Sequence, residues 1–104
     1  MTRHSVEYTF ISAPDERTMA ILSGKMRNDM RKKLKEKRTG AVALIQDRIP
    51  DIIYYTDLAV KASDVEVAEI VGSCPQTLAT IAILGEVEAV RAAVERILEE
   101  TQGK

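Results

Sequence analysis

Eight consecutive residues, Thr77-Leu78-Ala79-Thr80-Ile81-Ala82-Ile83-Leu84, form an almost uninterrupted apolar and β-branched run that Gly85 ends. Such a run reads as a central strand. A central strand needs neighbours on both sides for its backbone groups and helices to cover it. In a chain of 104 residues, one domain has to supply all of these.

The rest of the sequence provides candidates. Val6 to Ile11 sets Val6, Tyr8 and Phe10 against Glu7 and Thr9, the period of a half-buried strand. Ser12 to Glu16 reads as a helix start, with Ser12 as cap, Pro14 in the first turn, and Asp15 and Glu16 at the positive helix end. Met19, Leu22, Met26, Met30 and Leu34 follow at spacings of three and four. That stripe is helical; Gly24 divides it and Thr39-Gly40 ends it. Ala41 to Ile45 is a short strand buried on both faces. Pro50 opens a further helix whose inward stripe is Ile52, Ile53, Thr56, Ala59 and Val60. Val65 to Val71 is the next strand, followed by the central run. Glu86 to Glu100 is an amphipathic helix carrying Val87, Val90, Val94, Ile97 and Leu98.

The expected order is β-α-β-α-β-β-α. It describes one antiparallel-containing sheet of about four strands with helices packed on it, of the α/β or α+β class. Gly72-Ser73-Cys74-Pro75-Gln76 joins the last two strands and is rich in turn formers, so a hairpin is expected with the chain's one cysteine at its tip.

A lone cysteine excludes a disulfide framework within the chain. His4 is the one histidine, seventy positions from Cys74, so no base stands ready for a catalytic thiol. There is no phosphate loop, no G-x-G-x-x-G and no Ser-His-Asp set. The residues therefore point away from an enzyme. One chain cannot build a usual zinc site either, but symmetry-related hairpins would bring several thiols together. The residues before Val6 do not read as a signal peptide, and no run of 18 apolar residues would span a membrane. A cytoplasmic protein with a free thiol is the expectation.

Charge is uneven. Residues 1–48 hold 11 basic and 6 acidic side chains, and residues 49–104 hold 4 and 10. The basic stretch from Lys25 to Arg38 reads first as a solvated helix face or a docking surface for a neighbouring subunit. With net charge −1 overall and aromatics at 4%, the chain lacks the character of a nucleic-acid binder.

Three segments carry a family resemblance. They are Ala41-Val-Ala-Leu-Ile-Gln-Asp47, then Asp57-Leu-Ala-Val-Lys61-Ala-Ser-Asp-Val65, and Leu78-Ala-Thr-Ile-Ala-Ile-Leu-Gly85-Glu-Val-Glu-Ala-Val90-Arg-Ala-Ala93. The second resembles a D-x-x-x-K-[AS]-[AS]-x-V segment and the third a G-[DE]-V-x-A-V segment. Together, from Gly40 to Ala93, the chain resembles the shell-protein domain of bacterial microcompartments. A strand and helix precede this block, so the order resembles circularly permuted members. That implies one permuted shell domain over 1–104, with a relocated strand and helix at 6–38 and a core block at 40–100.

The resemblance implies more. Members of the family form flat hexamers whose central pore is lined by the loop at Gly72, Ser73, Cys74, Pro75 and Gln76. The G-x-C-P-Q pattern resembles shell proteins of glycyl-radical, propanediol-utilising compartments. For these the resemblance implies an iron–sulfur cluster of the four-iron, four-sulfur kind, shared among subunits and held by Cys74. Lys61 is implied at the hexamer edge. The implied partners are other copies, other shell proteins, and an enclosed glycyl-radical enzyme with its activase. The cluster would pass electrons, or be delivered, across the shell. Two other readings stay open on the residues: a plain metabolite pore without metal, and a small ligand-binding regulatory domain.

Overall fold

A computed structural model describes residues 6–27, 30–32, 39–72 and 77–102. Strand β1 (Glu7–Ser12) leads into helix α1 (Glu16–Ser23). Strand β2 (Ala41–Arg48) runs directly into helix α2 (Ile49–Ala62). Strands β3 (Glu66–Ile70) and β4 (Leu78–Gly85) follow, then helix α3 (Val87–Gln102). The strands form one antiparallel sheet in the order β1-β2-β4-β3. The apolar run of β4 is central, as expected, and β2 shares the centre with it.

Side chains alternate across the sheet, and both faces are covered. Ala43, Ile45, Ile81 and Ile83 pack with Ile52, Tyr55 and Ala59 of α2 and with Val90, Ala93, Val94 and Ile97 of α3. On the other face Val42, Ala68, Ala82 and Leu84 meet Leu22 of α1 and Met26 just beyond it, with Met19 and Met30 partly buried beside them. No described helix is long and apolar enough to cross a membrane.

Two local expectations are corrected. Asp15, not Ser12, caps α1: its carboxylate accepts the Arg17 N–H at 2.8 Å and the Arg17 guanidinium at 3.0 Å. Those bonds hold its carboxyl below the usual aspartate range. Ser12 is still in β1, paired with Ala41, and Ala13 turns the chain at φ 48° before the helix begins. Pro14 thus precedes the cap. The helical stripe that begins at Met19 does break at Gly24, as expected, and there Arg31 donates to the carbonyls of Ser23 and Met26. Leu34 lies outside the described residues.

The second correction concerns α2. Pro50 opens it as expected, but its inner face is Ile52, Tyr55, Leu58 and Ala59. Ile53 and Val60 stand 66% and 50% exposed. The inner face also carries a polar contact. The buried Tyr55 hydroxyl donates to Asp47 Oδ2 at 2.9 Å, and Asp47 Oδ1 accepts the Arg48 N–H at 2.8 Å. A buried carboxylate needs such donors.

Gly40 marks a close approach. Its N–H donates to the Gly85 carbonyl, its own carbonyl accepts from Ala13, and a Cβ there would lie 3.2 Å from backbone atoms of Glu86 and Val87. Gly40→Ala is expected to lower stability by about 1–3 kcal/mol, read from the urea midpoint. Tyr55→Phe strips a donor from buried Asp47 and is expected to cost about 1–3 kcal/mol. Burial, then the Asp47 hydrogen bond and charge, hold the Tyr55 phenol well above its ordinary value of 10.0. The raised value means the folded state keeps the proton longer. Stability from this group is whole below pH ~10 and falls as pH rises beyond it, because the unfolded chain ionises there first. Tyr55→Phe should flatten that alkaline slope.

Candidate functional site

The register of β3 on β4 runs from Glu66 opposite Leu84 to Ile70 opposite Thr80. The chain between them is therefore a hairpin connection, as the sequence implies. Its base is tied to two other parts of the fold. Val71 N–H donates to the Lys25 carbonyl at 2.7 Å, and Ile49 N–H donates to the Thr77 carbonyl at 3.2 Å. The segment after α1 and the start of α2 thus meet the two strand ends. Gly72 is exposed, and a Cβ on it would meet nothing within 4 Å. Ser73, Cys74, Pro75 and Gln76 lie outside the described residues.

Lys61 sits in the last turn of α2, a favourable place for a cation. Its Nζ is 2.8 Å from Asp57 Oδ2, and both side chains are exposed. The Asp57 hydrogen bond and charge raise the Lys61 pKa. Helix α2 has 14 residues, so its ends are about 20 Å apart at 1.5 Å per residue. Its first residue touches the base of the hairpin and Lys61 closes its other end. The fold therefore separates the two regions singled out in the sequence by the length of one helix.

Among the described residues no three His, Cys, Asp or Glu side chains converge to hold a metal ion. Cys74 is the one thiol of the chain. A cluster bound by thiolates would accordingly draw its sulfurs from several copies.

The charge split along the sequence becomes a split across the sheet. The segment carrying Lys25, Arg27, Arg31 and Lys32 follows α1 on one face, while acidic α3, with Glu88, Glu95, Glu99 and Glu100, covers the other. Arg27 reaches Glu69 at 3.6 Å, and Arg31 is engaged with backbone carbonyls. Lys33, Lys35, Lys37 and Arg38 lie outside the described residues. Sequence reasoning missed the Asp47–Tyr55 pair. The spacing Ile52, Tyr55, Leu58, Ala59 was the available signal.

Comparison with known proteins decides the class. The family model of the BMC domain matches residues 41–104. The chain belongs to the BMC-domain family. It is a structural subunit of a microcompartment shell rather than an enzyme. It is similar to the ligand-free GrpU microcompartment shell protein from Pectobacterium wasabiae, at 37% identity over 88% of this chain and 98% of that one, with a TM-score of 0.71. The ligand-free GrpU shell protein from Clostridiales bacterium 1_7_47FAA is 31% identical over 93% and 94%, with a TM-score of 0.65. The fused permuted hexameric shell protein of the RMM microcompartment is 20% identical over 93% of this chain and 46% of that one, with a TM-score of 0.66, and shares the fold. No curated protein matches the chain. Strand β1 lies ahead of the matched block yet completes the sheet beside β2, the arrangement expected of permuted members.

The Lys61–Asp57 pair of this shell subunit is open to solvent, and such pairs contribute little to stability. Lys61→Ala should leave the melting midpoint of the subunit unchanged, measured by circular dichroism. Any effect of that substitution on assembly then reports on contacts between subunits.

Proposed function

We propose that the chain forms a homo-hexameric shell tile whose β3–β4 loops meet at the central axis, and that Cys74 from several copies holds a shared four-iron, four-sulfur cluster there. The observation that carries this reading is the placement of the hairpin. Its base lies at the start of α2, at the opposite end from Lys61, so a ring with the hairpins at its centre has Lys61 towards its edge. The donor chemistry fits: iron–sulfur clusters are held by thiolates, and each chain offers one. The likeness to GrpU shell proteins supports a compartment of the glycyl-radical kind. On this reading Gly72, Ser73, Pro75 and Gln76 shape the pore, and the cluster serves electron transfer or cluster delivery across the shell. An enclosed glycyl-radical enzyme and its activase are the proposed recipients, and other shell proteins are the neighbours at Lys61.

Several thiolates around one axis repel, by roughly 2 kcal/mol per pair at 7 Å and an effective dielectric near 20. The metal-free ring therefore favours the protonated thiols, and cluster binding releases protons. Anaerobic reconstitution tests this. The expected result is brown protein of six-subunit mass with about four irons per hexamer, loading better at mildly alkaline than at acidic pH. Cys74→Ser should keep the mass and lose iron and sulfide. Colourless wild-type protein after reconstitution would leave a plain metabolite pore instead. For the edge, Lys61→Ala should keep the hexamer and lose extended sheets in electron micrographs.

A further inference from the structure

We infer that the segment carrying Met19, Met26 and Met30 is a peroxide-sensitive strap: oxidation of Met19 and Met30 to sulfoxides loosens it from the sheet and unties it from the end of β3. The inference goes beyond the assembly proposed above and needs neither the ring nor the cluster.

The chain has four methionines, and the three that follow Met1 converge on one face of the sheet. Met26 is 2% exposed and packs with Leu22 over Val42, Ala68, Ala82 and Leu84. Met19 and Met30 are partly buried against the same cluster. The opposite face is closed by aliphatic side chains with Tyr55 and Phe10, and among the described residues its core contains no sulfur. An oxidant that attacks thioethers therefore acts on one side of the sheet.

The thioethers suit their place. Ala68 and Ala82 give the sheet a shallow surface there, and methionine is flexible enough to fill it. Little else holds the segment. Helix α1 has eight residues, too few to be stable without packing, and it ends at Gly24. Past Gly24, two links join the segment to β3. The Lys25 carbonyl accepts the Val71 N–H at 2.7 Å, and Arg27 lies 3.6 Å from Glu69. The ion pair is exposed and contributes little. The packing of the three thioethers thus keeps Lys25 against Val71.

Peroxide changes that packing by a defined step. The thioether sulfur attacks one peroxide oxygen, an S–O bond forms, the O–O bond breaks and water leaves. Sulfur loses two electrons and the peroxide gains them. The side chain keeps its length but now carries a strong dipole, which an apolar patch does not satisfy and water does. Met19 and Met30 are reached first because they are partly exposed, and Met26 follows once the strap has loosened. Methionine sulfoxide reductases reverse the change. The β2–β4 pair is untouched, so the fold persists while the hold on the end of β3 is lost.

Peroxide treatment of the Cys74→Ser protein, whose thiol cannot react, tests the inference by mass spectrometry and by hydrogen exchange at single amides. Met19 and Met30 should each gain one oxygen before Met26 does. The Val71 amide should then exchange about tenfold faster, while the Ile45 and Ile83 amides of β2 and β4 keep their rates. Methionine sulfoxide reductase should restore the Val71 rate. Met19→Leu/Met30→Leu in the same background should keep its circular dichroism spectrum and show no acceleration with peroxide, although Met1 and Met26 remain. Unchanged Val71 exchange in protein oxidised at both sites overturns the inference, as does resistance of both sites to peroxide. Equal acceleration in the leucine variant overturns it too. Acceleration that spreads to Ile45 and Ile83 is unfolding, and it overturns the strap as well.

Discussion

The pairing of β2 with β4 governs this molecule. The two strands run antiparallel through eight residue pairs, from Ala41 opposite Gly85 to Arg48 opposite Leu78. Both are buried on both faces at their centres, so neither can slip in register. A shift of one residue would exchange every side chain between the two packed layers. That rigidity reaches the ends of the pair, and the ends are where the chain meets its surroundings. At one end Gly40, Gly85 and Glu86 crowd together. At the other, Arg48 turns straight into α2 and Leu78 is one residue from the hairpin. The two residues that flank the β3–β4 loop on its β4 side, Thr77 and Leu78, are rooted in that rigid pair.

On the proposed reading, this geometry would let a short sequence make a site that it cannot make alone. One thiol per chain is inert as a cluster ligand set. Identical subunits around an axis multiply it without adding a residue. The requirement is that every copy presents the loop at the same angle. Within the protomer, burial of the β2–β4 pair and the hydrogen bond from Ile49 to Thr77 fix the strand end from which the loop starts. The division of charge between the two sheet faces follows from the same layering. The basic segment after α1 packs on one layer and the acidic helix α3 on the other, so a flat assembly has two chemically different sides.

Much of this was legible in the sequence because it rests on local pattern. Strand β4 announces itself as an apolar run, β1 by alternation, and α3 by its valines and Ile97. The hairpin follows from five turn-forming residues between two strands, and the break at Gly24 from backbone chemistry. What escaped depends on partners distant in sequence. Asp15 takes the cap from Ser12 because Ser12 is held in β1 by Ala41. The phase of α2 puts Tyr55 inside, where its hydroxyl reaches a carboxylate eight residues back; a count that treats tyrosine as a surface residue passes over the spacing Ile52, Tyr55, Leu58, Ala59. The candidate site divides in the same way. Its position on the hairpin was readable, whereas the arrangement of the loops depends on other copies of the chain.

The missed phase of α2 is itself informative. The sequence offers two overlapping stripes on this helix, one through Ile52, Tyr55 and Ala59 and one through Ile53 and Val60. A monomer would bury only one, and a purely monomeric protein would gain by making the other polar. Keeping both apolar lowers the solubility of the isolated chain, so an aliphatic row at full length on an exposed flank is a local rule broken. The inner stripe folds the protomer, and the outer one, Ile49, Ile53 and Val60, stays exposed in it. Because both stripes lie on one helix, the packing that buries Ile52, Tyr55 and Ala59 also decides which aliphatic row faces out.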